Sequence, residues 1–303
     1  MLGLAAVVIA ATAIIATAGG SNPASRKIAS PTSQAEHKRN TANSSDTTVL
    51  NSSYSLSTKK IGPPGNKPVP ILMYHVIGNP PAGAPFPGLY VPASEFAGQM
   101  SALAKAGYHG VTQDQMWAYW KRGVPLPPGK PIIITFDNGY KSQYAVALPV
   151  LQKYHWPAVE NIQLTGLPPS QGGLLRKQTR AMVAAGWELD TQGFSHADLV
   201  KLTPQALQHE VADSRHRVQK LYKVPANWFC YPSGHYNPTV ISAVKKAGYI
   251  GSTTTMPGWN RRNYDPYKLE RLRVLGGTTP NGLINLIQSY KDHGPPPASF
   301  SGG

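Results

Sequence analysis

The sequence predicts an α/β fold in which parallel strands form a barrel, preceded by an apolar N-terminal segment and a polar linker. From residue 68 to residue 293, short apolar strand candidates alternate with helix candidates, as in a series of βα units. No Gly-rich dinucleotide fingerprint follows a predicted strand, which favours a closed barrel over an open, doubly wound sheet. With 303 residues and 41% apolar composition, the chain can also bury a large core.

The first 20 residues are predicted to be a signal peptide or a membrane anchor. Residues 2–18 (LGLAAVVIAATAIIATA) contain no charged side chain, and ATA at residues 16–18 has the small-x-small pattern of a cleavage site. The segment is also just long enough to span a bilayer, and no Lys or Arg precedes it to fix its orientation. Both alternatives predict an exported protein, either extracellular or anchored in the membrane and facing the cell wall.

Two polar segments flank the predicted domain, which covers residues 68–293. Residues 21–67 are predicted to form a disordered basic linker, because they are rich in Ser, Asn and Pro and lack periodic apolar positions. The tail at residues 294–303 (GPPPASFSGG) is predicted to be disordered for the same reason.

The strand and helix candidates follow one another along the domain. Strands are predicted at residues 69–74, 110–111, 132–136, 158–164, 187–190, 228–231, 249–253 and 272–275. The clearest helix candidate covers residues 204–222, where Leu207 and Val211 begin an apolar face. Thr203 is its predicted N-cap, and Pro204 occupies the first helical position.

The net charge and the cysteine content limit what the protein can bind and how its fold is stabilised. A formal net charge of +15 predicts attraction to anionic polymers, which include nucleic acid, anionic lipid and cell-wall polymers. No basic-aromatic module, zinc-finger spacing or Gly-rich phosphate loop is present, so nucleic acid is not a predicted partner. The single Cys230 excludes a disulfide framework and is expected to be a small buried residue. We expect a monomer.

Polar residues follow four of the predicted strands. His75 follows the first, Asp137 and Asn138 the third, residues 190–196 the fifth, and residues 233–235 the sixth. In a parallel barrel the carboxyl ends of the strands meet at one mouth, where the chemistry of such folds lies. These residues therefore predict a polar site at the barrel mouth.

Five segments of this kind occur in a fixed order. They are ILMYH (71–75), ITFDNGY (134–140), WELDTQGFSHADL (187–199), FCYPSGHYN (229–237) and ERLRV (270–274). Together they resemble the signatures of the polysaccharide deacetylases, the NodB-homology domain of carbohydrate esterase family four. The resemblance implies a distorted (β/α)7 barrel that removes N-acetyl or O-acetyl groups from peptidoglycan or chitin-like glycans, assisted by a divalent metal, most often zinc.

The resemblance also implies roles for single residues, although some positions of this sequence differ from the family's pattern. Asp137 matches the general base, and His196 matches one of two metal-binding histidines. Asn138 and Gln192 stand where the family has a metal-binding Asp and His, and Cys230 stands where an Arg orients the base.

Further residues complete the implied site. His75 is a further catalytic candidate, and His235 could replace a general-acid His whose late motif has no counterpart near residues 283–290. The implied substrate-binding residues are Tyr140, Tyr231, Pro232, Ser233, Gly234 and Arg271.

The departures predict a weakened metal site. Amide oxygens are weaker zinc ligands than a carboxylate and an imidazole, so zinc at Asn138, Gln192 and His196 is expected to bind weakly or not at all. A rearranged metal set would keep His196 and add three other residues of the mouth: Asp137, His75 and Asp190.

The carboxylates also have purely structural interpretations. Asp137 could cap a helix that begins near Tyr140. Asp190 could form a buried ion pair with Arg271 at the barrel rim.

The histidines have structural interpretations as well. His75 could bond backbone at its strand end, and His196, with Asp198 two residues later, could belong to an Asx-type turn. His235 and Tyr236 could lie in a surface loop.

Two functions follow as predictions. The first is an exported deacetylase acting on amino-sugar polymers, with Asp137 as base. The second is a catalytically impaired glycan-binding protein on the same barrel. In both, the basic linker binds anionic wall polymers, and an uncleaved N-terminal segment would bind the membrane. A serine hydrolase is not predicted, since Ser195 and Ser233 lack a G-x-S-x-G elbow.

Overall fold

The computed structural model describes residues 59–165, 167 and 172–302. The predicted signal or anchor segment and linker residues 21–58 lie outside the described residues. Among the helices of the described part, none is long and apolar enough to cross a bilayer.

The described residues form strands and helices in alternation. The strands are β1 (Val69–Tyr74), β2 (Val76–Ile77), β3 (Tyr90–Val91), β4 (Tyr108–Val111), β5 (Lys130–Asn138), β6 (Val159–Ile162), β7 (Glu188–Thr191), β8 (Trp228–Cys230), β9 (Gly251–Thr253), β10 (Trp259–Asn260) and β11 (Leu272–Arg273). The helices are α1 (Ala93–Lys105), α2 (Gln113–Arg122), α3 (Leu148–Gln152), α4 (Arg176–Ala184), α5 (Pro204–Gln208), α6 (Ser214–Tyr222), α7 (Pro238–Lys246) and α8 (Pro280–Ser289).

One curved sheet carries the fold. Its strands follow the order β10-β1-β5-β6-β7-β8-β9, and every pairing along this path is parallel except that of β10 with β1. Beyond β9 the ring returns to its start, because Leu269 bridges Thr253 of β9 and the following strand β11 pairs with β1. β4 pairs with the first half of β5. The predicted distorted barrel of βα units is confirmed.

The helix predicted over residues 204–222 is present with the predicted bounds, but one of its turns is wider than expected. A π-helical turn, His209–Asp213, separates α5 from α6. Leu207 and Val211 remain buried as their spacing predicted. The wider turn is a common device at functional sites, and here it carries Glu210, which binds the loop after β7.

The side chains of β5 alternate between two layers. Ile134 and Phe136 pack outward against α1, whereas Ile133 lies in the interior cluster with Val159. Since successive strand residues point to opposite faces, the side chain of Asp137 points into the barrel. The core thereby places a carboxylate at the inner rim of the mouth.

Three carboxyl groups lie inside the barrel without an ion-pair partner in the described residues. Trp228 Nε1 donates to Asp114 Oδ1 at 2.9 Å, the backbone N–H of Trp228 donates to Asp190 Oδ1 at 2.9 Å, and the backbone N–H of Asp114 donates to Glu188 Oε2 at 2.8 Å. Burial raises the pKa of all three, that of Asp190 to about 7. The pairing of Asp190 with Arg271 considered from the sequence is wrong, because Arg271 binds elsewhere.

The C-terminal tail differs from the disorder expected of it. Phe300 exchanges two backbone hydrogen bonds with Tyr236, at 2.7 and 2.9 Å, and the Tyr236 hydroxyl donates to the carbonyl of Pro297. Tyr236 is fully buried, so its interpretation as a surface-loop residue is wrong. The composition of the tail gave no sign of this contact, because it depends on a partner segment far away in sequence.

Candidate functional site

The barrel mouth collects polar side chains from neighbouring strands. Asp137 of β5 is in register with Asn161 of β6, which is in register with Asp190 of β7. His75 follows β1 directly, and Gln192 follows β7. The topology therefore brings together most of the residues that the sequence placed at strand ends.

Arg271 and Asp137 form the centre of this site. Arg271 Nη1 donates to Asp137 Oδ1 at 2.7 Å and Nη2 donates to Oδ2 at 2.8 Å, a bidentate pair with both side chains buried. The Arg271 guanidinium also donates to the hydroxyl of Thr135 and the carbonyl of Thr254. Arg271 was predicted to bind substrate, but its side chain has no exposed surface. It instead holds the carboxylate of Asp137 in place and stabilises its ionised form.

Asp137 has further polar contacts, of which the bond from Gln192 Nε2 to Oδ2 is long, at 3.5 Å. Asn161 Nδ2 donates to Oδ1 at 2.9 Å, and the Cys230 thiol lies 3.6 Å from Oδ2. Burial alone would raise the pKa of this carboxyl, but the Arg271 guanidinium outweighs it and holds the pKa at about 2. Asp137 is therefore ionised at any physiological pH. No helix N–H binds its side chain in the described residues, so the capping interpretation is wrong.

Asn138 and Gln192 are hydrogen-bonded to each other and are not free to bind a metal ion. The backbone N–H of Asn138 donates to Gln192 Oε1 at 2.9 Å, and Asn138 Nδ2 donates to Gln163 Oε1 at 2.7 Å. Asn138 has a φ of 77°, a left-handed conformation that Asn and Asp tolerate better than most residues. Gln163 was not found from the sequence, because an isolated Gln after a strand carries no pattern.

His196 lies on a loop that Glu210 fixes from the π-helical turn. Glu210 Oε2 accepts the backbone N–H groups of Phe194 and Ser195 at 2.7 and 2.9 Å. Burial lowers the pKa of His196, while the nearby Asp137 carboxylate opposes that shift. The Asx-turn interpretation fails, since the carboxylate of Asp198 binds Lys201 and His235 side chains.

His75 is a largely buried neutral imidazole next to this carboxylate. Its Nδ1 has no hydrogen-bond partner in the described residues, so the expected bond from the ring to backbone is not formed. Burial lowers the pKa of His75 to about 4, although attraction to Asp137 acts in the opposite direction. The ring therefore stays neutral at physiological pH and can accept or donate a hydrogen bond at the mouth.

Replacing His75 by Gln should reduce the loss of stability on acidification. Between pH 6.5 and about 4 the unfolded chain protonates this ring and the folded chain does not. As the pH is lowered through this window, the free energy of unfolding therefore decreases, and His75 contributes up to ~3 kcal/mol of that decrease. Urea unfolding at pH 7 and pH 4.5 should show a smaller difference for His75→Gln than for the parent or for His216→Gln, a control on α6. Equal losses in all three proteins would contradict the assignment.

Comparison with known proteins agrees with this geometry. The sequence model of the polysaccharide deacetylases matches residues 126–251. YxkH of Bacillus subtilis (strain 168), whose name assigns it provisionally to the polysaccharide deacetylases, is 33% identical over 226 residues, or 74% of this chain and 77% of that protein. The chain belongs to the polysaccharide deacetylase family.

Solved structures of deacetylases share the fold. The Streptococcus pyogenes deacetylase PplD, in complex with acetate, is 27% identical with a TM-score of 0.67, covering 74% of this chain and 99% of that chain. BC0361, a polysaccharide deacetylase from Bacillus cereus, is 28% identical with a TM-score of 0.64, covering 73% and 69%. The barrel of this family member is thus similar to that of proteins named as deacetylases.

The zinc site that the family implies does not fit the residues of this deacetylase-family member. Gln192 Oε1 already accepts the Asn138 N–H, and the Asn138 side chain is bound to Gln163. Among the described residues, no three or more His, Cys, Asp or Glu side chains are grouped so that they could hold a metal. The rearranged set of Asp137, His196, His75 and Asp190 is therefore not assembled as a metal site in the described residues.

The remaining predicted site residues differ in how accessible they are to a substrate. His235 Nδ1 lies 3.0 Å from Asp198 Oδ1, and its ring packs edge-on against Phe300, so it belongs to the tail side of the mouth. Ser233 is exposed and Tyr140 is half-buried, so both remain available to a glycan of the kind deacetylases bind.

Three other residues predicted to bind substrate are buried. They are Tyr231, Pro232 and Gly234. The hydroxyl of Tyr231 donates to the carbonyl of Tyr267 at 3.0 Å. Because they are buried, these three residues do not contact substrate as predicted. They instead pack beneath the exposed Ser233 and support its loop.

Proposed function

We propose that the protein is an exported deacetylase of N-acetylated glycans, of the peptidoglycan or chitin-like class. The observation that carries this proposal is the buried carboxylate of Asp137, held ionised at the mouth by Arg271 next to the neutral ring of His75. A buried, charged pair at a strand end is costly to maintain for structure alone. Family membership supports the same reaction class.

The residues divide the chemistry among themselves. The carboxylate of Asp137 orients the attacking water by accepting its hydrogen bond, and His75 exchanges the proton that moves between water and leaving amine. A pKa of about 2 makes Asp137 a weak base at neutral pH. The reaction therefore relies on positioning, and the accessible hydroxyls of Ser233 and Tyr140 offer hydrogen bonds to the acetamide or ring hydroxyls.

The N-terminal sequence supports the place of action. The uncharged residues 2–18 serve as signal or anchor, and the basic residues 21–67 tether the domain to anionic wall polymers. The barrel then works as a monomer on a polymer outside the cell.

Acetate release tests the reaction. The full chain should release acetate from chitooligosaccharides or peptidoglycan, and Asp137→Asn should reduce the rate roughly 10²- to 10⁴-fold. Asp213→Asn, an exposed carboxylate paired with His209, is the matched control and should leave the rate unchanged. His75→Gln provides a second variant if Asp137→Asn fails to fold. Acetate release that none of these changes affects would refute the assigned roles.

A second function is favoured by one observation. The hydrogen bond between Asn138 and Gln192 fills the positions that hold metal in the family, leaving a polar mouth suited to binding sugars without hydrolysis. Under that alternative, the full chain binds chitooligosaccharides in calorimetry and releases no acetate above the level of Asp137→Asn.

A further inference from the structure

A small cavity opens beside the mouth, between α4 and α6. Its volume is about 250 Å³. This is below the roughly 300–1,000 Å³ of sites that enclose a whole small molecule, so the cavity is sized for a substituent. Its wall includes Asn138, Gln163, Phe194, Arg176, Arg217 and Tyr222.

Two arginines face this cavity without an acceptor. Arg176, at the start of α4, and Arg217, on α6, are exposed, and no ion pair or hydrogen bond engages either side chain within the described residues. Neighbouring Arg180 differs, because its guanidinium donates to the carbonyl of Leu221 at 3.1 Å. The cavity thus combines two unpaired positive charges from two helices.

The buried carboxylate behind the cavity wall is already engaged by other donors. Glu210 is nine-tenths buried or more, and its oxygens accept from Phe194 and Ser195. Guanidinium groups bind carboxylate and phosphate through paired hydrogen bonds. A site with two such groups and no internal acid therefore selects an anion.

The cavity is joined to the candidate active site by one pair of amides. Asn138 directly follows Asp137, and its side chain donates to Gln163, which lines the cavity. Gln163 Nε2 in turn donates to the carbonyl of Thr165 at 2.8 Å. A glycan whose acetamide lies over Asp137 would therefore extend a neighbouring substituent toward the two arginines.

We propose that this cavity is an anion subsite, in which Arg176 and Arg217 bind a carboxylate or phosphate group carried by the glycan. The inference rests on the proposed function, since it names the substrate class of the same mouth. It distinguishes an acidic wall glycan from neutral chitin as the preferred substrate.

Substrate charge tests the subsite. The full chain and its Arg176→Gln/Arg217→Gln variant are compared on three probes: chitotetraose, an oligosaccharide of N-acetylglucosamine and N-acetylmuramic acid, and a chitooligosaccharide carrying a phosphate monoester. Binding is measured by calorimetry at low and high salt, and KM and kcat by acetate release. The double variant should weaken binding of the better anionic probe roughly tenfold and leave chitotetraose unchanged. The difference should shrink at high salt.

The control changes the same charge on the same helices. Lys177→Gln/Lys220→Gln alters exposed residues of α4 and α6 that do not line the cavity, and should behave as the parent. Equal binding of anionic and neutral probes by the parent, or equal losses in both double variants, would overturn the subsite. Calorimetry separates the two proposals: anion-selective binding without acetate release supports the subsite and refutes the hydrolase, whereas acetate release that is indifferent to the arginines does the reverse.

Discussion

Replacing Arg271 by Met is expected to lower the free energy of unfolding by ~3–5 kcal/mol. The substitution removes both hydrogen bonds to Asp137 and leaves a fully buried carboxylate without its counter-charge. Burial would then raise the pKa of Asp137, so that the variant is more stable in mild acid than at neutral pH, relative to the parent. Urea unfolding at pH 7 and pH 5 measures both effects.

Two further variants show whether the pair itself is responsible. Asp137→Asn/Arg271→Met removes both charges and should recover much of the lost stability, because no uncompensated ion remains. Arg261→Met removes two exposed contacts, one with Asp292 and one with the carbonyl of Lys291, and should change stability by no more than ~1 kcal/mol. If Arg271→Met and Arg261→Met have equal effects, the buried pair does not stabilise the fold as described.

Restoring the two altered ligand positions should create a zinc site. Asn138→Asp together with Gln192→His adds a carboxylate and an imidazole to His196 at the family's ligand positions, and these are ligand types that zinc prefers. We expect zinc affinity to rise at least 100-fold, since a charged and a basic ligand replace two amides. The metal-free variant should lose ~1 kcal/mol of stability, because the hydrogen bond from Asn138 to Gln192 is broken.

Zinc titration by calorimetry, with thermal unfolding in its presence and absence, provides the measurement. Asn263→Asp/Gln205→His introduces the same residues at exposed positions and should bind zinc no better than the parent. An equal affinity in the restored variant and this control would mean that the mouth no longer has the inherited ligand geometry.

Local patterns accounted for the barrel and for the position of its carboxylate. Leu207 and Val211 are buried as the helical spacing predicts, because periodicity reports which face of a helix meets the core. Asp137 could be placed at the mouth because it directly follows a buried strand. In both cases the decisive neighbours are close in sequence.

The pairing within the site could not be predicted in the same way. Arg271 lies 134 residues from Asp137, and their contact is made only when the ring returns to β1. The resemblance placed the orienting group at Cys230, yet the guanidinium reaches the same carboxylate from a different strand. The hydrogen bond between Gln163 and the Asn138 side chain could not be predicted from the sequence, because it depends on the left-handed backbone conformation of Asn138.

The raised pKa values of the acids inside the barrel change how the protein's charge should be counted. A formal value of +15 treats every Asp and Glu as ionised. Burial raises the pKa of Glu188 well above its ordinary value and raises that of Asp190 to about 7, so that Asp190 is partly protonated in the folded barrel at neutral pH. The folded protein is therefore more cationic than its composition states, and it releases protons when it unfolds at neutral pH. Part of the positive charge on which the proposed binding to anionic polymers depends is thus a property of the intact barrel.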